Sequence, residues 1–86
     1  MPIHPPISPS LFKRVLELDG FTVVREDDYN WALFKDGFGL IQPLIIPKKV
    51  TLIPVDVMSS VLDRAKMPPG TYLELLHKAE QQSPPR

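Results

Sequence analysis

The sequence predicts an α+β domain in the order helix, three strands, helix, with an extra short helix at the C-terminal end and a three-stranded antiparallel sheet packed on the helices. Three observations predict it. Apolar residues recur at helical spacing in Leu11, Phe12, Val15, Leu16 and Leu18. Between residues 21 and 46, three runs rich in β-branched and aromatic residues are separated by turn signals. From Val55 onward the helical spacing returns. With 86 residues the chain can build only one core, and it buries about 60% of the surface its unfolded form exposes.

Ser8-Pro9 suits an N-cap followed by a first-turn proline, and the helix runs from there to Asp19-Gly20. Gly20 can take the left-handed conformation that ends a helix, with Phe21 folding back on the last turn. Phe21 to Arg25 is the first strand, because β-branched and aromatic side chains suit a pleated, half-buried surface. Asp27-Asp28 is a turn, and Tyr29 to Phe34 returns as the second strand. Asp36-Gly37 is the next turn signal, followed by a third strand over Leu40 to Ile46. Its interior Pro43 cannot donate to a ladder, which requires either a sheet edge or a bulge there. Pro47-Lys48-Lys49 is then a loop. Pro54 is expected as the first residue of a second helix, whose apolar face is Val55, Met58, Val61, Leu62 and Ala65. Met67-Pro68-Pro69-Gly70 breaks it, and a third helix over Thr71 to Ala79 presents Tyr72, Leu75 and Leu76.

Prolines concentrate at both ends, where missing amide donors prevent regular pairing, so residues 1–8 and 81–86 are expected as flexible tails around a domain at 9–80. The absence of cysteine excludes disulfides, a thiolate nucleophile and thiolate zinc sites. No apolar run reaches the roughly 18 residues of a membrane span, and the start of the chain lacks the features of a signal peptide, so a cytoplasmic protein is expected. Ten Lys and Arg balance ten Asp and Glu; attraction to nucleic acid therefore depends on a local patch.

Candidate chemistry is sparse. His4 stands in the proline-rich N-terminal stretch and His77 late in the last helix, both away from the strands, and each reads as a solvated or dipole-compensating side chain. Asp27 and Asp28 lack the further ligands a metal site needs and read as a polar turn. Phosphate-binding glycine loops and Ser/His/Asp arrangements are absent, and no cofactor is expected. A basic set remains. Arg25 ends the first strand, Lys35 the second, and Lys48-Lys49 follow the third. If those ends share one side of the sheet, the cations could meet phosphates, with Tyr29 and Trp31 available for stacking. The alternative is a solvated rim with Trp31 in the core.

The local text resembles the HicA toxins, small prokaryotic ribonucleases (mRNA interferases) of toxin–antitoxin pairs, whose helix, three strands, helix order is that of a double-stranded-RNA-binding-like fold. The likeness is spread over residues 10–76. It begins in Arg14-Val15-Leu16-Glu17-Leu18-Asp19-Gly20-Phe21 and continues in Val23-Val24-Arg25 and Ile46-Pro47-Lys48-Lys49. It closes in Val55 to Ala65 and Thr71-Tyr72-Leu73-Glu74-Leu75-Leu76. The family typically reads Gly, then Ser or Asp, then His after the arginine of the first strand; Asp28, Tyr29 and Asn30 stand against those three.

The resemblance implies that Asn30 occupies the place of the catalytic histidine, which serves as acid or base in cleaving RNA through the ribose 2′-hydroxyl. A carboxamide cannot exchange a proton near neutral pH as imidazole can, and losing that catalysis costs about 10²–10⁴ in rate. Lys66 is a lesser departure, since the family often has a helix-ending glycine there. The implied function is a HicA-like domain that binds RNA weakly, a HicB-like antitoxin, or both, with ribonuclease activity lost or impaired. On this view RNA contacts fall to Arg25, Lys35, Lys48, Lys49 and Tyr29, and no membrane is involved. Two alternatives stand beside it. One is an active interferase that uses Tyr29 or His77 for proton transfer, and the other is a protein-interaction module that binds through a strand edge or the last helix.

Overall fold

A computed structural model describes residues 5–37 and 42–82. In chain order the elements are α1 (Pro9–Leu18), β1 (Thr22–Glu26), β2 (Asn30–Phe34), β3 (Leu44–Pro47), α2 (Val55–Arg64) and α3 (Pro69–Gln82). The sheet is antiparallel in the order β1-β2-β3, so the fold is the α+β arrangement expected.

α1 begins where Ser8 Oγ accepts from the Leu11 amide at 3.3 Å, and Pro9 occupies the first turn, where no amide donor is needed. Its end is a Schellman motif. The Gly20 amide donates to Glu17 O and the Phe21 amide to Leu16 O, both at 3.0 Å, with Gly20 at φ 106°. Phe21 and Leu16 are both buried, which supplies the apolar contact that goes with this motif.

α2 ends in the same way without a glycine. The Lys66 amide donates to Asp63 O at 3.1 Å and the Met67 amide to Leu62 O at 3.0 Å, with Lys66 at φ 54°. Pro54 is the N-cap of α2 rather than its first residue, and makes no side-chain cap; Asp56 in the first turn and Arg64 in the last oppose the helix dipole instead.

Phe12, Val15, Leu16, Leu33, Leu44, Ile46, Ile53, Met58 and Tyr72 are the largest fully buried side chains. They lie between the helices and one face of the sheet. α1 packs chiefly on α3, where the Phe12 and Tyr72 rings meet edge to face at 6.5 Å.

Beyond shifts of one residue at strand ends, four boundaries differ from the sequence expectation. Ile7 is buried and its carbonyl accepts from the Ile53 amide at 2.8 Å, so the core takes in a residue expected in the N-terminal tail. α3 starts at Pro69 and extends to Gln82, which makes it a long helix of 14 residues. Pro68 and Pro69 open it instead of only ending α2: a proline in the first turn forgoes an amide that has no helical partner, and the Pro68 carbonyl accepts from Tyr72 at 3.0 Å. At the far end, Gln82 Oε1 accepts from Arg14 Nε and Nη2 at 3.1 and 2.7 Å, which ties α3 to α1 beyond the apolar residues that periodicity detects. Finally, β3 begins at Leu44, just after Pro43, and is an edge strand. The expected start of that strand at Leu40 lies outside the described residues.

The register decides what the sheet shows on its outer side. Val23 pairs with Leu33, and Arg25 with Ala32, which leaves Val24 as the extra residue of a β-bulge. Without it, strict alternation would turn Arg25 toward the helices. With it, Arg25 faces outward opposite Ala32, and Glu26 turns to the helix side opposite Trp31. In β2 and β3, Trp31 with Ile46 and Leu33 with Leu44 point to the core, and Asn30 with Pro47 and Ala32 with Ile45 point away. Among the described residues, no helix is long and apolar enough to cross a membrane.

Candidate binding site at one end of the sheet

The β1–β2 turn is held by Asp27. Its Oδ1 accepts from the amides of Tyr29 and Asn30, each at 2.8 Å, and its own amide donates to Asn30 O at 3.0 Å. This is the local side-chain-to-backbone bonding for which Asp is favoured in turns. The bonds from Tyr29 and then Asn30 hold the Asp27 carboxyl below the ordinary carboxylate range. Asp27 is thus a turn-former, and no group of three His, Cys, Asp or Glu among the described residues could hold a metal ion.

Lys48 closes the same end of the sheet. Its amide donates to Tyr29 O at 2.9 Å, and its ammonium donates to Glu26 Oε2 and, at 2.7 Å, to Asp27 O. The ammonium also lies 5.7 Å from the Trp31 ring centroid, and Lys13 Nζ lies 5.0 Å from it. Hydrogen bonding to Lys48, then its charge, lowers the Glu26 carboxyl from its ordinary range. Lys48 therefore clips the end of β3 to the β1–β2 turn instead of standing open to a phosphate. Trp31 is half-buried and packed against the core, which leaves Tyr29, 67% exposed, as the available ring.

The expected convergence of the basic residues is corrected by strand direction. Neighbouring antiparallel strands end at opposite edges, so Lys35 at the end of β2 lies away from Arg25 and Lys48. Lys35 Nζ donates to Asp19 O at 2.8 Å and lies 3.7 Å from Asp19 Oδ2 and 5.6 Å from the Phe21 ring centroid. A cation on the last carbonyls of a helix opposes its dipole, which makes Lys35 a cap for α1.

Of the named residues, Arg25, Tyr29, Asn30, Lys48 and Lys49 remain at one end of the sheet. Arg25 and Lys49 are exposed and form no ion pair with a described residue. Arg25, Lys48 and Lys49 face Glu26, Asp27 and Asp28 in the same stretch, so the local charge is balanced and a strong phosphate-attracting field is absent. Asn30 opens β2 on the outer face, and its carboxamide makes no hydrogen bond with a described residue. His77 belongs to α3, in the helical layer across the sheet from that face, with Gln81 Nε2 3.2 Å from its Nε2. His4 lies outside the described residues. The roles of Lys13 and Glu26 were not legible in the sequence, because they depend on the bulge and on the approach of α1.

No protein-family model, curated protein or solved structure matches the chain.

Proposed function

We propose that this chain is a HicA-like domain that acts by binding and has lost ribonuclease chemistry. The observation that carries the reading is Asn30. It opens β2 where the resemblance sets a histidine, and the one imidazole among the described residues, His77, belongs to the helical layer on the other side of the sheet. General acid–base cleavage of RNA needs a group that exchanges a proton near neutral pH within hydrogen-bond reach of the reacting oxygen. Further support comes from the element order, from the Gly20-Phe21 helix end, and from Lys66, which takes the left-handed conformation at the place of the family's helix-ending glycine. Partners of such a domain are RNA, met by Arg25 and Lys49 since Lys35 and Lys48 are engaged elsewhere, and a HicB-like antitoxin. The cytoplasm of a prokaryote is the corresponding location.

The test is incubation of purified protein with mRNA, beside an Asn30→His variant. No cleavage by the parent chain is expected, with gain of cleavage in the variant. Cleavage of mRNA by the parent chain would sink the reading. RNA affinity is expected to be low and salt-dependent, with the slope of log K against log salt reduced by about 1 in Arg25→Ala and in Lys49→Ala.

A protein-interaction role is favoured by one specific observation, the apolar outer face of the sheet. Val24 is 56% and Ile45 42% exposed there, beside half-buried Phe34.

A further inference from the structure

An antiparallel sheet with one face on a core and one in water ordinarily alternates apolar and polar residues along each strand. These strands do not. β2 reads Trp31-Ala32-Leu33-Phe34 and β3 reads Leu44-Ile45-Ile46-Pro47, and β1 carries Val23-Val24. Near-continuous apolar runs belong to strands covered on both faces. The inner residues of each run belong to the core; of the outer ones Ala32 is buried beneath its neighbours, while Val24 and Ile45 are exposed and Phe34 half-buried. They form an apolar strip across all three strands, and Arg25, turned outward by the bulge, is the one charged strand residue on it.

We propose that this outer face is the docking surface for an apolar segment of a partner protein that carries a carboxylate for Arg25. The inference rests on the reading that the chain acts by binding. Charge and size select this occupant. A second copy of the chain offers no carboxylate among the outward residues of its strands, so a two-fold pairing would give Arg25 no new ion pair beyond the nearby Asp27. The strip is also small. Three strands about 4.8 Å apart and some five residues long span on the order of 250 Å². That is far below the roughly 800 Å² per partner of a stable interface between two folded domains. A segment lying on the strip can extend past Ile45 into the groove beside α2, which is lined by Asp56, Val57, Ser60 and Arg64. RNA suits the strip less well, because it offers one half-buried ring, Phe34, and one cation where a single strand requires several of each.

The test uses the isotope-labelled full chain and peptides selected against it from a phage-displayed library. Selected peptides are expected to place Asp or Glu among apolar residues and to shift the amide resonances of Val24, Ala32, Phe34 and Ile45. Arg25→Glu and Ile45→Asp are each expected to weaken binding about tenfold or more. Leu73→Asp, an equally exposed apolar position on α3, is the control that leaves binding unchanged. Far-UV circular dichroism confirms folding of each variant, and Val24→Asp substitutes for Ile45→Asp if the latter unfolds. Failure to select any peptide, or resonance shifts confined to another surface, overturns the proposal. So does a parent dimer that Ile45→Asp dissociates, or a single-stranded RNA oligonucleotide that shifts the strip when no peptide does. The RNA cleavage assay is independent of all these outcomes, so loss of the docking surface and loss of the non-catalytic reading are told apart.

Discussion

Lys66→Gly is expected to stabilise the protein. Lys66 sits at φ 54°, where the side chain of an L-residue crowds its own backbone, at a cost of roughly 1–2 kcal/mol relative to the right-handed helical region. Glycine has no such cost, and the two closing hydrogen bonds from Lys66 and Met67 are backbone bonds that it keeps. Against this stands the greater entropy of glycine in the unfolded chain, roughly 0.5–1 kcal/mol. The net gain is about 0.5–1 kcal/mol, or roughly 2–8 °C in melting temperature for a domain of this size. Urea unfolding followed by far-UV circular dichroism measures it as a rise in midpoint at unchanged slope. Lys66→Ala separates the backbone term from the contacts of the lysine side chain, because alanine keeps the left-handed cost. A Lys66→Gly variant no more stable than Lys66→Ala would refute the argument.

The equivalent position of α1 gives the opposite sign. Gly20→Ala is expected to destabilise by roughly 1–2 kcal/mol in the same assay, since φ is 106° and the new Cβ would lie 3.3 Å from Lys35 Cε. Lys48→Met tests the clip. Because Lys48 lowers the Glu26 carboxyl, its contribution is present above the ordinary carboxylate range and lost as pH falls through the lowered value. The parent should therefore exceed Lys48→Met in stability at neutral pH and converge with it in acid; a constant difference at all pH values would refute the clip. Burial, aided by the charge of Glu80, pushes the Tyr72 phenol up to about 12. Its folded value being raised, stability is full below the ordinary phenol range near 10 and falls as pH rises through 12. Tyr72→Phe should remove that alkaline loss, and persistence of the loss in the variant would contradict it.

Much of the scaffold was legible because it is written in local chemistry. Ser8-Pro9, Gly20-Phe21 and Asp27 each act within a few residues of themselves, through a cap, a left-handed helix end and a turn bond, and the structure shows all three. The helical periods of α1 and α2 likewise reflect one buried face each. Strand direction was also implicit, since antiparallel neighbours must send Lys35 and Arg25 to opposite edges.

The rest depended on contacts between distant residues. Pro68-Pro69 has the same local character whether it stops one helix or starts another, and Arg14 and Gln82, which secure the far end of α3, are 68 residues apart. A single bulge at Val24 decides which face receives Arg25 and which receives Glu26, and thereby which lysine is engaged. Sequence alone therefore determined the elements, their order and the absence of an imidazole at position 30. Only the tertiary structure decided which charges are already neutralised and that Val24, Ile45 and Arg25 stand exposed on the outer side of the sheet, because pairing register and packing set side-chain direction and no local propensity encodes them.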